Sequence, residues 1–392
     1  MSVYVAGNGG EVKPAGGDCY GANGRGRAVA GREEQGSKEG RVTSHKNNIG
    51  LLRLILALLV IIGHAPEMID GNRLREPLTV IFHTISLGEF AVDGFFILSG
   101  YLITSSMFAS STLFSYMKRR ILRIYPGFII AFLLCALAVS PMVGGHPSAS
   151  LKTVYHMLIL EAPPAYPGQL AGLPYPALNG SMWTIAYEFR CYLLVALLGV
   201  TGLLGRRRLV LALTVALAVL SIAVMFPVVA AAFEALDGRL RLQSLIGASG
   251  QTIRLTAIFL IGTCAYNYRE LIVARADGRL ALAGLITALA AMFEPHIAEI
   301  ALAVFGGYAF FWLAFKANLG PLQQINDKWD VSYGVYLYGW PISITLLWFN
   351  RGISPVALAT ISVPLALAFG AVSWWGLERW AKDLGRVRRH AA

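Results

Sequence analysis

The chain has 392 residues, 56% of them hydrophobic and only 14% charged, against about 25% charged in an ordinary soluble domain. Its 33 lysines and arginines outnumber 22 aspartates and glutamates, for a net charge of +11. This oily but basic balance excludes a disordered protein and a soluble nucleic-acid binder, and leaves a polytopic membrane protein. Of its four cysteines, Cys135, Cys191 and Cys264 fall in apolar runs, which excludes a disulfide scaffold.

Residues 1–47 are rich in Gly, Glu, Lys and Arg and hold almost no apolar run. They lack the charged start and apolar stretch of a signal peptide, and they read as a flexible cytoplasmic tail. From residue 48 onward, apolar runs near the 20 or so residues of a bilayer span recur. The expected spans are 49–67, 88–108, 121–143, 182–203, 209–230, 252–268, 279–293, 297–315, 331–349 and 355–377. The segment 150–161 reads as a short interfacial helix. The Pro-, Gly- and Tyr-rich connection 144–181 is unsuited to lipid and is expected to cap the outer mouth of a cavity. The fold class is therefore all-α, with about ten transmembrane helices. A basic tail follows over 381–392.

Charge sets the expected orientation. Loops on one side carry 17 basic residues after the first span, and the tail before it adds seven. The opposite loops carry six: Arg73, Arg75, Lys152, Arg239, Arg241 and Arg351. Both termini are thus expected in the cytoplasm, which requires an even number of spans.

Ionisable groups inside spans are costly, so each is a functional candidate. Arg53 and His64 lie eleven residues apart on the first span. Their separation is about 1100° of helix, roughly 20° from three full turns, so they share a face roughly 16 Å apart. A cation near the entrance and a deeper imidazole suit a long anionic ligand. The plainer alternative is an arginine snorkelling to phosphate and a histidine packed neutral in the core. On the second span, Asp93 sits in an apolar stretch and needs a cationic or donor partner; Ser99 reads as a packing residue. Lys118, Arg119, Arg120 and Arg123 open the third span. Anchoring explains such clusters, but Arg120 and Arg123 share a face and paired guanidiniums grip phosphate. Glu188 and Arg190 enter the fourth span. Glu188 reads either as half of a structural Glu–Arg pair between helices or as an acid–base partner at the depth of His64. Tyr333, Tyr336 and Tyr338 line the ninth span, where an aromatic belt is the simpler reading, and Pro341 is expected to kink it. The sequence holds no metal-ligand cluster, P-loop or Gly-x-Ser-x-Gly elbow.

In order along the chain stand Arg53-x10-His64, VDGFFILSGYL, RRILRIYP, SMWTIAYE and SYGVYLYGWP. Together, over about 48–380, they resemble the acyltransferase-3 family of integral membrane O-acyltransferases, of the kind that acetylate surface polysaccharide or exopolysaccharide. The resemblance implies a transmembrane acyltransferase domain over 48–380 that transfers groups other than aminoacyl groups. It implies a catalytic His64 in an Arg-x10-His pair with Arg53, and an Arg-x-x-Arg pair in Arg120 and Arg123. The chain departs from the family where Tyr338 and Gly339 stand at aromatic and histidine positions of the span-nine motif. It also shows no fused esterase-like domain, so it is expected to work alone or to pass its product on.

On that resemblance the expected reaction moves an acyl group, most simply acetyl, from cytoplasmic acyl-CoA to a hydroxyl of a carbohydrate or lipid-linked sugar. Acyl-CoA is a donor substrate; no permanently bound cofactor, metal or nucleic acid is expected. Arg53, Arg120 and Arg123 are expected on the CoA phosphates and His64 on the acceptor hydroxyl. Glu188 or Asp93 is expected to orient the imidazole, and Tyr333 to donate to the oxyanion. The expected location is a bacterial inner membrane, with membrane lipid and polysaccharide-synthesis proteins as partners. The rival readings are an exporter of polysaccharide or lipid-linked sugar, for which buried His, Asp, Glu and Arg serve equally as a proton relay, and a structural scaffold.

Overall fold

The computed structural model describes residues 47–147, 150–240 and 247–385. The expected N-terminal tail, Arg241 and the basic residues after Gly385 lie outside the described residues. Among the described residues all regular structure is helical. Helix α1 spans Ile49–Asp70, α2 Pro77–Phe82, α3 Leu87–Phe108 and α4 Leu113–Met142, the last through a π turn at Leu134–Val139. They are followed by α5 (Leu151–Leu158), α6 (Trp183–Val200), α7 (Arg207–Ala223) and α8 (Pro227–Leu240). Next come α9 (Ser249–Asn267), α10 (Arg269–Ala274), α11 (Gly278–Ala291) and α12 (Ala298–Phe315). Helices α13 (Ser332–Phe349) and α14 (Pro355–Gly385) complete the chain.

A single helix thus occupies nine of the ten positions expected for a span, and the expected span 209–230 is broken between α7 and α8. Six described helices are long and apolar enough to cross a bilayer: α1, α3, α4, the segment Gly180–Val200 around α6, α12 and α14. A seventh candidate is the pair α7–α8, which bends by 106° at its break. Pro227 opens α8, where a missing N–H costs nothing. Helix α11 is shorter, and α9 and α13 carry polar side chains. The large apolar side chains of α7, α11 and α14 point outward at helical spacing, among them Leu211, Val215, Val219, Leu282, Ile286, Leu365 and Val372. Such an outer surface needs lipid to cover it. The protein is a multi-pass membrane protein.

Helix ends are fixed by local chemistry. Ser86 and Glu89 form a reciprocal capping box on α3. Gly71 ends α1 in the left-handed conformation, φ 71°, and donates its N–H to Glu67 O at 2.9 Å. Small residues then bring helices together. A Cβ on Gly100 would stand 1.9 Å from Phe259 O, and one on Gly262 2.0 Å from Ile97 O, so α3 and α9 touch backbone to backbone. Gly63 likewise approaches Gly88 N, and Gly334 approaches Gly370. Asn48 donates from its side chain to Leu313 O (2.5 Å) and Ala317 O (2.8 Å), tying the start of α1 to the end of α12.

Helix α13 runs unbroken through Pro341. Tyr333, Tyr336 and Tyr338 are all buried, at 8%, 6% and 2% exposure, so none lies in an aromatic belt. The segment between α5 and α6 packs on this helix: Trp340 Nε1 donates to Ala177 O at 2.9 Å and Asn179 Nδ2 to Leu337 O at 2.9 Å.

Candidate active site

Helix α1 carries a polar centre near each end. At its C-terminal end, His64 Nδ1 lies 3.0 Å from Glu67 Oε2, one turn along the same helix. Glu67 Oε1 accepts from Arg73 Nε (3.1 Å) and from the Tyr175 hydroxyl (3.2 Å). Arg73 also donates to Glu89 Oε1 at 2.6 Å, and Glu89 is held by Ser86 through its capping box. Burial alone would lower the Arg73 pKa; Glu89 and Glu67 outweigh it and raise it, so the guanidinium stays charged. The His64 ring meets the edge of Trp340, centroids 5.2 Å apart at 74°. A Cβ on Gly88 would lie 3.5 Å from His64 Nε2, so glycine leaves that nitrogen room.

The chemistry of this centre follows from the carboxylate. An ionised Glu67 only accepts, so it places the imidazole proton on Nδ1 and leaves a lone pair on Nε2. The imidazole retains 22% exposure. It is therefore an oriented base with an accessible nitrogen, the relation of histidine to carboxylate found in hydrolase triads.

The second centre gathers near the start of α1. Arg53 and Arg123 both bind Asp330 Oδ2, Arg123 at 2.8 Å. Ser332 donates to Asp330 Oδ1 at 2.6 Å. Burial would raise the Asp330 carboxyl, but the Arg123 and Arg53 guanidiniums outweigh it and hold it well below the usual carboxylate range. Arg123 also stacks over the Tyr333 ring at 5.3 Å. Arg120 donates to Ser106 Oγ at 3.2 Å and lies near the Tyr116 and Tyr192 rings. No carboxylate of the described residues stands within ion-pair distance of Arg120, and its buried Nε has no hydrogen-bond partner.

The structure brings Arg53 and Arg123 together, with Arg120 one turn along α4, and sets His64 apart from them. It distributes the other expected site residues differently. Asp93 receives Arg254 at 2.7 Å, and Arg254 also binds Glu299. Glu188 accepts from Ser99 and, at 2.5 Å, from Tyr192. Ser99 is eleven residues beyond Gly88, the residue against His64, or roughly 16 Å of helix. Glu188 thus belongs with the arginine centre rather than with His64. Arg190 stacks on Tyr187 at 5.0 Å. The Tyr333 hydroxyl donates to Ile124 O at 2.9 Å. Tyr333 stands seven residues, roughly 10 Å, before Trp340 on α13, again at the arginine end.

The carboxylate in contact with His64 is Glu67, whereas Asp93 meets Arg254 and Glu188 meets Ser99 and Tyr192. The Glu67 signal was present in the sequence, since positions three apart on a helix are neighbours. Asp330 carried no such signal, because it meets Arg53 across 277 residues of chain. Arg73, counted in the sequence only as a loop charge, joins the carboxylates of α1 and α3.

Three comparisons bear on this geometry. The acyltransferase domain profile of the acyltransferase-3 family matches residues 46–377. An O-acetyl transferase of Shigella phage Sf6 is 25% identical over 357 residues, covering 86% of this chain and 96% of that protein. Nodulation protein 10 of Rhizobium leguminosarum bv. viciae is 26% identical over 358 residues, covering 82% and 92% respectively. No solved structure matches the chain. The profile spans both polar centres of α1 and most of the helical bundle, and the chain belongs to the acyltransferase-3 family of acyl-transferring membrane enzymes.

Proposed function

We propose that the protein transfers an acyl group, most simply acetyl, from acyl-CoA to a hydroxyl of a surface or exported glycan. The observation that carries this is the pairing on α1 of a carboxylate-oriented imidazole with a distant arginine centre. Arg53 and Arg123 share one carboxylate, and Arg120 has none within ion-pair distance among the described residues. Such guanidiniums suit the phosphates of the donor. The O-acetyl transferase from the Shigella phage supports acetyl as the group moved.

In this reading His64 Nε2 takes the proton of the acceptor hydroxyl as its oxygen attacks the thioester carbonyl. The carbon–sulfur bond breaks, and the departing thiolate receives the proton held on His64, so atoms and charge balance. Glu67 holds the tautomer and steadies the transient imidazolium. Arg73, bound to Glu67 and Glu89, fixes that carboxylate. Asp93 acts at a distance, by holding Arg254 and with it the contact of α3 to α9. Glu188 and Tyr333 line the donor end. The donor end faces the cytoplasm and the acceptor end the outer side of a bacterial inner membrane, in keeping with the basic loops.

The test is CoA release by purified protein given acetyl-CoA and a glycan acceptor. His64→Ala is expected to lower kcat by about 10²–10⁴-fold, the usual span for a general base. Undiminished turnover would overturn the assignment. Release of CoA without an acylated glycan would overturn the acceptor.

A further inference from the structure

The Pro-rich segment between α5 and α6 packs tightly on the His64 end of α1. Its Leu170, Leu173 and Leu178 are buried with Ala65 and Met68 of α1 and with Trp340 and Ile344 of α13. A Cβ on Gly71 would stand 2.9 Å from Pro174 Cβ, so the segment lies directly on the end of α1. Trp340, whose ring meets His64, donates its indole N–H to Ala177 O. Tyr175 stands two residues earlier, between Pro174 and Pro176. The proline after it disfavours the helical region for Tyr175, and the two rings stiffen the chain on both sides. The Tyr175 ring meets Trp340 edge-on, centroids 6.3 Å apart at 81°.

From this position the Tyr175 hydroxyl donates to Glu67 Oε1 at 3.2 Å, across 108 residues of chain. Burial and the Glu67 charge raise its pKa, so it keeps the proton it donates. The two oxygens of Glu67 have different tasks. Oε2 meets His64 Nδ1, whereas Oε1 takes both Arg73 Nε and the Tyr175 hydroxyl. Arg73 is 40% exposed and is shared with Glu89, which it meets at the shorter distance of 2.6 Å. The last torsion of a glutamate is broad, so Arg73 alone leaves the carboxylate room to swing. A second donor on Oε1, anchored in a different part of the chain, holds the carboxylate plane and with it the direction of Oε2 toward the imidazole.

We propose that Tyr175 is a positioning residue of the acyl transfer, an inference that rests on the function proposed above. Its hydroxyl fixes Glu67, and Glu67 fixes the tautomer and orientation of the His64 ring. Tyr175 touches neither donor nor acceptor in this role and acts on the rate through the carboxylate. The base on α1 is thus completed by a residue that the Pro-rich segment delivers.

The test is a double-mutant cycle in full-length protein purified in detergent, read as initial rates with acetyl-CoA and a glycan acceptor. Tyr175→Phe keeps the ring against Trp340 and removes only the hydroxyl. It is expected to lower kcat about tenfold, the low end for a hydrogen bond to a charged group, with both KM values within about twofold of wild type. In a Glu67→Ala background the same change is expected to cost less than about twofold, because no carboxylate remains to be held. A second readout is independent of the reaction: the ¹⁵N spectrum of histidine-labelled protein, with the His64 signals assigned by their loss in His64→Ala. Wild type is expected to carry the His64 proton on Nδ1, and Tyr175→Phe to show a mixture of the two tautomers. An unchanged kcat, a full tenfold loss in the Glu67→Ala background, or a raised acceptor KM at unchanged kcat overturns the proposal. So does a His64 spectrum that Tyr175→Phe leaves unaltered. If the tautomers respond to Tyr175→Phe but wild type releases no CoA from acetyl-CoA, the coupling of Tyr175 to His64 stands and the acyl-CoA reading falls.

Discussion

The most consequential single contact is the one between His64 Nδ1 and Glu67. It decides which ring nitrogen carries a proton, and so which can accept one. Glu67→Gln preserves shape but leaves one acceptor oxygen where the carboxylate has two, and removes the charge that steadies an imidazolium. It is expected to lower kcat about 10–100-fold with KM for the acceptor little changed, measured by initial rates with acetyl-CoA. A variant that changed only KM would place Glu67 in binding rather than in orientation. At the other end of α1, Arg123→Gln removes one of two guanidiniums on Asp330. Its expected signature is the reverse, a KM for acetyl-CoA raised about tenfold with a smaller change in kcat.

Among the helices, the contact between α3 and α9 is the least forgiving. The atoms that a Cβ on Gly100 or Gly262 would meet are backbone carbonyls, which cannot rotate away as a side chain can. Gly100→Leu must therefore push the two helices apart. The same displacement separates Asp93 on α3 from Arg254 on α9 and disturbs the polar cluster that includes Glu299. The expected result is a destabilisation of about 3 kcal/mol or more, in the range of severe overpacking. Thermal unfolding in detergent reads it as a lowered Tm. Gly205 meets nothing within 4 Å, so Gly205→Ala is the control and is expected to leave Tm within about a degree.

At the scale of the molecule, Asp330 joins α1, α4 and the start of α13, elements far apart in sequence. Removing its charge strands Arg53 and Arg123 side by side. Asp330→Asn is expected to cost about 3 kcal/mol of stability near neutral pH, as for a broken buried pair. The pH dependence follows in sign. The folded carboxyl lies below its unfolded value, so its stabilisation is complete above the ordinary carboxylate range and fades as pH falls below it. The Tm gap between wild type and Asp330→Asn is therefore expected to hold from about pH 5 to 8 and to narrow below about pH 4. A gap that widened in acid would contradict the arrangement.

Much of this organisation was written in the sequence. Apolar runs determine single helices at nine of the ten expected positions, because a backbone in lipid must satisfy its own hydrogen bonds, and the tenth, 209–230, is broken between α7 and α8. The eleven-residue spacing of Arg53 and His64 places them along one helix, since helical geometry is local. The ordered motifs point to the family that the profile match then shows. Partners across the bundle were another matter. Asp93 could have met His64 by sequence logic alone, but Arg254 reaches it across 161 residues. Glu188 goes to Ser99 and Tyr192 for a similar reason. Local periodicity states which face a side chain takes on its own helix. Which helix lies opposite, and at what height, is set by close glycine contacts and by packing of the whole bundle, and only the tertiary structure decides it.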